Sequence, residues 1–146
     1  MTALGNAALR QVALKVLAQY EGSGASAEGF AAAARRAYDD LARVSAPLIG
    51  QVGVDALTGR ALYLAQREYP WLVPAREPEE TGPFDQVIVC LERQDPAVSL
   101  EAAGAVFTIF TGLLVTFIGE PLTARLLRQA WPDAFSDQST EETHKA

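Results

Sequence analysis

The sequence contains too few cysteines and histidines to build the common metal or nucleophilic sites. Among 146 residues there is one cysteine, Cys90, and one histidine, His144, close to the end. A disulfide within the chain needs a second cysteine, structural zinc needs several Cys or His ligands, and a Ser-His or Cys-His pair needs a histidine in the folded body. We therefore expect no metal, no other cofactor and a reducing compartment.

The usual phosphate-binding and acid–base patterns are missing as well. GxGxxG and Walker motifs are absent, and the early glycines follow a helical segment rather than a strand. Glu77, Glu79 and Glu80 lie in a proline-rich stretch that would leave them in water, whereas a general acid is normally shielded from water. The sequence therefore predicts a protein that is not an enzyme.

The sequence also lacks clustered positive charge. The chain carries 12 Lys and Arg against 18 Asp and Glu, a net charge of −6. Affinity for nucleic acid depends on grouped Lys and Arg that displace counterions from phosphates. We expect no nucleic-acid partner. The acidic segment 76–101 is better suited to attract a basic protein.

No stretch alternates with period two for long enough to predict a sheet, while apolar residues repeat with helical spacing through most of the chain. The predicted fold class is all-α, a single-domain bundle of about five to six helices over residues 1–132. Residues 133–146 have no periodicity and carry four acids, which predicts a mobile acidic tail. The N-terminal segment has charges inside its apolar pattern, unlike a signal peptide, so we expect a cytoplasmic protein.

One segment is apolar throughout. Residues 102–119 are 18 positions without a charge, between Glu101 and Glu120. As an α-helix they would rise about 27 Å, close to the hydrocarbon thickness of a bilayer. The acidic flanks and the lack of adjacent Lys or Arg argue against a membrane span. We expect a central core helix near residues 97–118, with membrane association as the lesser alternative.

This helix combines small and bulky positions. The small residues recur every four positions, at Gly104, Thr108, Gly112 and Thr116. Such a stripe lets another helix approach closely. On other sides of the helix, Phe107, Phe110 and Phe117 form a bulky ridge. One hypothesis is that these three phenylalanines line a pocket for a small apolar ligand.

Two segments of the chain resemble each other. Residues 49–65 contain IG, then LTGRAL, then a later alanine, and residues 118–130 contain IG, then LTARLL, then a later alanine. The pattern predicts two half-repeats, 27–70 and 97–132, related by a pseudo-twofold axis. The alternative is chance similarity in a chain rich in Leu, Ala and Arg.

The two segments share an arginine, Arg60 in the first and Arg125 in the second. If the half-repeats exist, both arginines could lie near the axis and bind a carboxylate or phosphate, because a guanidinium matches such groups. The alternative is that each arginine pairs with a neighbouring acid or caps a helix end.

The sequence favours binding over catalysis. It has an apolar helix in excess of what a small bundle needs, and an aromatic, proline-rich connection that includes Tyr69 and Trp71. The leading hypothesis is a non-enzymatic interaction or regulatory module that binds another protein, as a homodimer. The alternatives are a sensor of small apolar ligands and, less favoured, a membrane-associated subunit.

Overall fold

The structure is a computed structural model that describes residues 5–22, 26–72 and 83–134. The helices are α1 (Asn6–Glu21), α2 (Ala27–Ala65), α3 (Pro83–Glu92), α4 (Pro96–Ile118) and α5 (Glu120–Ala130). These described ranges contain no strand. The predicted all-α bundle is confirmed, and α4 covers the predicted central helix.

Local signals account for the start of α2 and for a bend inside it. The Ser26 hydroxyl accepts a hydrogen bond from the Gly29 amide, 2.9 Å away, as an N-cap residue does. At Gly50 the backbone leaves helical geometry, with φ 83° and ψ 155°. The bend divides α2 into a first arm, 27–49, and a second arm, 51–65. The ψ angle at Gly50 is extended rather than left-handed helical.

The helices pack around α4. Helix α1 runs antiparallel to it, since Leu14 lies over Gly104 while Arg10 and Ala7 lie nearer the C-terminal half of α4. Helices α2 and α5 also pack against α4, and α3 packs mainly on α2, to which an Arg35–Asp85 ion pair joins it. The sequence predicts that α4 is enclosed by its neighbours; residues 102–108 are all buried, whereas Thr116 and Phe117 near the end of the helix are exposed.

An aromatic cluster forms the centre of the core. Tyr38 stacks on Phe84 with ring centroids 4.3 Å apart, and Phe110 meets Tyr38 edge-on at 6.3 Å. Phe107 contacts both Phe84, at 5.6 Å, and Trp131, at 5.7 Å. The cluster joins α2, α3 and α4 to the residue that follows α5. Such ring contacts add to the stabilisation that burial of their apolar surface provides.

The packed body extends slightly past the predicted domain end at residue 132. Ala134 is buried, and its carbonyl oxygen accepts a hydrogen bond from the Lys15 ammonium at 3.3 Å. A short helical turn carries residues 132–134 against α1. Ala134 therefore belongs to the packed body, because its methyl group is buried and this hydrogen bond joins it to α1. The rest of the predicted tail, 135–146, lies outside the described residues.

The two similar segments share backbone features. Each contains a glycine with positive φ and extended ψ: 83° and 155° at Gly50, and 94° and 158° at Gly119. Each also has a buried threonine, Thr58 or Thr123, whose hydroxyl donates to the carbonyl four residues earlier at 2.8 Å. These parallels agree with the half-repeat hypothesis, which stays a prediction.

Candidate functional site

A groove opens between the N-terminal end of α1, the C-terminal half of α4 and the end of α2. Its volume is about 590 Å³, and its lining residues are Ala7, Arg10, Glu68, Ala105, Thr108, Ile109, Gly112, Leu113 and Thr116. Six of these nine residues belong to α4 and carry no charge. The volume falls within the range of about 300–1,000 Å³ that is usual for ligand sites, but the groove is open to solvent along its length.

Helix α1 covers the small-residue stripe of α4 at Gly104 but not at Gly112. At Gly104 a Cβ atom would lie 2.7 Å from Cδ2 of Leu14, so α1 approaches closely there. At Gly112 a Cβ atom would meet no atom within 4 Å. The predicted close approach of a helix is therefore found at Gly104, whereas around Gly112 the described part of the chain leaves the stripe uncovered.

The uncovered side of α4 forms one continuous helix face. Its members follow the spacing i, i+3, i+4, i+7 and i+8, and they are Ile109, Gly112, Leu113, Thr116 and Phe117. The first three are partly buried, Thr116 is exposed, and Phe117 is 65% exposed. We call this set the α4 face. Within the described ranges, it is a side of α4 that the other helices do not enclose.

The two threonines beside the groove contribute apolar surface. Thr108 donates its hydroxyl hydrogen to the Gly104 carbonyl at 2.7 Å, and Thr116 donates to the Gly112 carbonyl at 3.2 Å. Both hydroxyls are therefore satisfied within α4. A surface without unsatisfied donors loses little hydrogen bonding when it is covered, so its desolvation costs little.

Two opposite charges, Arg10 and Glu68, stand at the edge of the groove. Neither forms an ion pair with another described residue. Burial raises the pKa of the Tyr69 phenol, and the carboxylates of Glu101 and Glu68 raise it further, while the Arg10 guanidinium beside the hydroxyl opposes the rise. The Tyr69 phenol therefore loses its proton only at a pH above its ordinary range.

The structure separates the three phenylalanines of the predicted ligand pocket. Phe107 and Phe110 are buried in the aromatic cluster, and neither lines the groove. Phe117 is exposed and belongs to the α4 face. The large rings of Phe107 and Phe110 pack against other rings of the core, which explains why the cavity along α4 lies on the opposite, small-residue side.

Of the other predicted site residues, Tyr69 and Trp71 are close together, with ring centroids 5.8 Å apart, and Tyr69 adjoins the groove through Arg10. Arg60 and Arg125 are both exposed. The Arg60 guanidinium lies over the Tyr63 ring at 5.6 Å, a contact within one helix surface. Within the described ranges, no contact brings Arg60 and Arg125 together.

Sequence reasoning missed the contribution of Arg10 and Glu68, which are 58 positions apart in the chain. No local motif connects them, because they meet only through the packing of α1 and the second arm of α2 around α4. The small-residue stripe was the one signal in the sequence for the side of α4 that carries the groove, and it did not indicate which part of that side would stay open.

Comparison with protein-family models, with curated proteins and with solved structures finds no match. By length and composition, α4 is the one helix of the described chain that could cross a membrane, and 56% of its apolar window is buried. A buried core helix gives the same signal. In the ranges that the structure describes, no three His, Cys, Asp or Glu residues gather as metal ligands would.

A second polar cluster fixes α1 to the first arm of α2. The Tyr20 hydroxyl donates to Asp40 Oδ2 at 2.7 Å, the Arg36 guanidinium lies over the Tyr20 ring at 4.3 Å, and Arg43 pairs with Asp40 at 3.5 Å. Burial, followed by the hydrogen bond to Asp40, raises the pKa of Tyr20 to about 12. All these contacts are satisfied within the body, so the cluster has a structural role.

We predict that the alkaline stability of the protein depends on Tyr20. Below pH 10 the Tyr20 phenol is protonated in both the folded and the unfolded protein. Between pH 10 and about 12 the unfolded chain loses this proton while the folded protein retains it. The free energy of unfolding therefore falls as the pH rises through this range. Tyr20→Phe should remove this part of the decline and cost about 1 kcal/mol at neutral pH, from the lost hydrogen bond. Urea unfolding at a series of pH values measures both effects. An alkaline decline that is equally steep in Tyr20→Phe would contradict the assignment.

Proposed function

We propose that this protein is a non-enzymatic interaction module that binds a protein partner through the α4 face. The observation that carries the proposal is the exposure of Phe117, at 65%, at the end of a helix that has no charge over residues 102–119. Aromatic residues are enriched at protein interfaces relative to the rest of the protein surface, and Phe117 continues the uncharged α4 face. The proposal places the protein in the cytoplasm.

The chemistry of the groove supports binding rather than catalysis. Its threonine hydroxyls are engaged by the α4 backbone, and its charged residues are one arginine and one glutamate at the edge. Catalysis by acid–base or nucleophilic groups needs a reactive side chain aligned with a second group that activates it. The lining that the structure describes offers apolar contact area, which is what a binding surface supplies.

A second candidate function is the binding of a small amphipathic molecule. The groove volume of about 590 Å³ favours it, since such a volume accommodates a drug-sized ligand. Most ligand sites, however, enclose the greater part of their ligand, and this groove is open along α4. We therefore prefer the protein partner, and the experiment below separates the two.

Site-specific photo-crosslinking in the cells that make the protein tests the proposal. A photoreactive phenylalanine at position 117 should give a covalent adduct with a protein chain that mass spectrometry identifies. The matched control is the same substitution at Tyr63, an aromatic residue that is 55% exposed on the second arm of α2. We expect adducts from position 117 and none from position 63.

Two results would contradict the proposal. Absence of a protein adduct at position 117 would mean that Phe117 faces solvent or a small molecule. Equal adduct formation at both positions would mean that exposed aromatics of this protein react without a specific partner.

A further inference from the structure

Gly50 is the single residue through which the two arms of α2 fold back on each other. The first arm, 27–49, and the second arm, 51–65, are helical, and only Gly50 between them has non-helical φ and ψ. The Tyr38 and Thr58 hydroxyls, 20 residues apart, are joined across the bend by a hydrogen bond of 2.8 Å. In a straight helix these two residues would be about 30 Å apart. One pair of dihedral angles therefore separates the observed hairpin from a continuous helix of 39 residues.

The bend at Gly119 has similar backbone angles but is followed by a proline. In a helix that continued through Gly119, Pro121 would leave the carbonyl four residues earlier without an amide partner, and its ring would clash with that carbonyl. The residue two positions after Gly50 is Val52, which has an amide. Pro47 lies before the bend, and the first arm is already helical around it. The first bend can therefore open into a continuous helix, whereas Pro121 blocks the second.

Apolar side chains flank the bend at the surface. Leu48 is 48% exposed and Val52 is 83% exposed, one on each side of Gly50. Their spacing of four residues would place them on one face of a continuous α2. A dimer that exchanges segments through Gly50 brings its two straightened α2 helices together near the twofold axis, where these faces can pack on each other. The open form can thus cover apolar surface that the closed chain leaves in water.

The segment before the bend is held by contacts that a second copy can supply equally well. Tyr38 stacks on Phe84, and the Trp131 indole donates to the Ala37 carbonyl. Each of these contacts joins a residue before Gly50 to a residue after it. When α2 straightens in two copies, the same contacts form between the segment before the bend in one copy and the segment after it in the other. The exchange therefore keeps the contacts of the core and changes only the bend.

We propose that Gly50 is a hinge, and that the chain forms a segment-exchanged dimer in which α2 is continuous and residues 6–49 of each copy pack on the other copy. This exchange is independent of the α4 face and goes beyond the proposed function. The dilute wild-type chain is monomeric, since glycine adopts a positive φ without strain and association costs translational freedom. High protein concentration shifts the chain to the dimer, as does a residue at position 50 that favours helical φ.

Gly50→Ala, compared with Gly119→Ala, tests the hinge on the purified full-length chain. Both replace a glycine of positive φ, and at neither would a Cβ meet an atom closer than 3.9 Å. Each protein is unfolded in urea, refolded at concentrations from about 5 μM to about 1 mM, and measured by light scattering after gel filtration. Gly50→Ala should dimerise at concentrations about a hundredfold lower than the wild type, because each of two hinges escapes a disfavoured backbone conformation, an effect of about tenfold. Gly119→Ala should leave the dissociation constant unchanged, since Pro121 blocks a continuous helix.

Val52→Pro places in the first bend the proline that the second bend already has. Proline is tolerated in the first turn of the second arm, but it is incompatible with a continuous α2. Val52→Pro should therefore keep the monomeric fold, which circular dichroism checks, and remove the dimer of the wild type. Combined with Gly50→Ala, it should return that variant to a monomer. The matched control is Val52→Ala, which removes the same side chain but keeps the amide and should retain most of the dimer.

Three outcomes would overturn the hinge. One is a folded Gly50→Ala chain that stays monomeric at about 1 mM. Another is a dimer that Val52→Pro leaves intact, since association would then use a different surface. The third is equal dimerisation of Gly119→Ala, which would mean that lost stability alone causes association. If Gly50→Ala does not fold, the wild type decides: a dimer at about 1 mM that Val52→Pro removes supports the hinge, and a monomer overturns it. Crosslinking at position 117 tests the proposed function separately from each of these results.

Discussion

Trp131→Ala is expected to lower the free energy of unfolding by about 3–5 kcal/mol, the range for removal of a fully buried large aromatic side chain. Trp131 is 2% exposed, meets Phe107 edge-on at 5.7 Å, and donates its indole hydrogen to the Ala37 carbonyl at 3.1 Å. Alanine would leave a cavity at the point where the end of α5, the centre of α4 and the first arm of α2 meet. Urea unfolding monitored by circular dichroism measures the loss.

The matched control is Trp71→Ala. Trp71 is partly buried and packs edge-on against Tyr69 at 5.8 Å, at the periphery of the body. We expect this substitution to cost about 1–2 kcal/mol, because part of the indole is already in water. Equal losses for the two tryptophans would show that Trp131 does not occupy the centre of the core.

Gly50→Ala and Gly119→Ala are each expected to destabilise the fold by about 1–3 kcal/mol. Both glycines combine positive φ with extended ψ, a region that L-residues with a side chain rarely adopt. Space is not the cause: a Cβ would meet nothing within 4 Å at Gly50, and only Pro121 Cδ, at 3.9 Å, at Gly119. The cost therefore comes from the backbone alone. Thermal or urea unfolding of each variant measures it.

Gly59→Ala separates backbone strain from a general effect of glycine replacement. Gly59 lies inside the second arm of α2 with open space around it, so alanine should stabilise the helix by about 0.5–1 kcal/mol. If all three alanine variants changed the free energy of unfolding in the same direction, the cost at Gly50 and Gly119 could not be attributed to their positive φ.

Burial of one side of α4 in the core determines that the α4 face lies at the surface. One side of α4 carries Phe107, Phe110 and Leu114 into the bundle, where their burial holds the helix in position. This arrangement leaves the opposite side, around Gly112 and Phe117, at the surface. The interaction that we propose thus uses a rigid helix rather than a loop, so little conformational entropy is lost when a partner binds.

The sequence by itself determined the all-α class and the central helix near residues 97–118, which the structure places at Pro96–Ile118. Both features are predictable because helical periodicity depends on residues within one or two turns of each other. The uncharged run of 102–119 also predicted a core helix, and 56% of the apolar window of α4 is buried.

Only the tertiary structure decided which side of α4 is buried. The sequence offered two candidate surfaces, the phenylalanine ridge and the small-residue stripe, and the packing of α1, α2 and α3 enclosed Phe107 and Phe110 and left Gly112 open. The same packing brought Arg10 next to Glu68 and Tyr69. The outcome depends on how several helix surfaces fit together at once, and a pattern along one helix does not specify it.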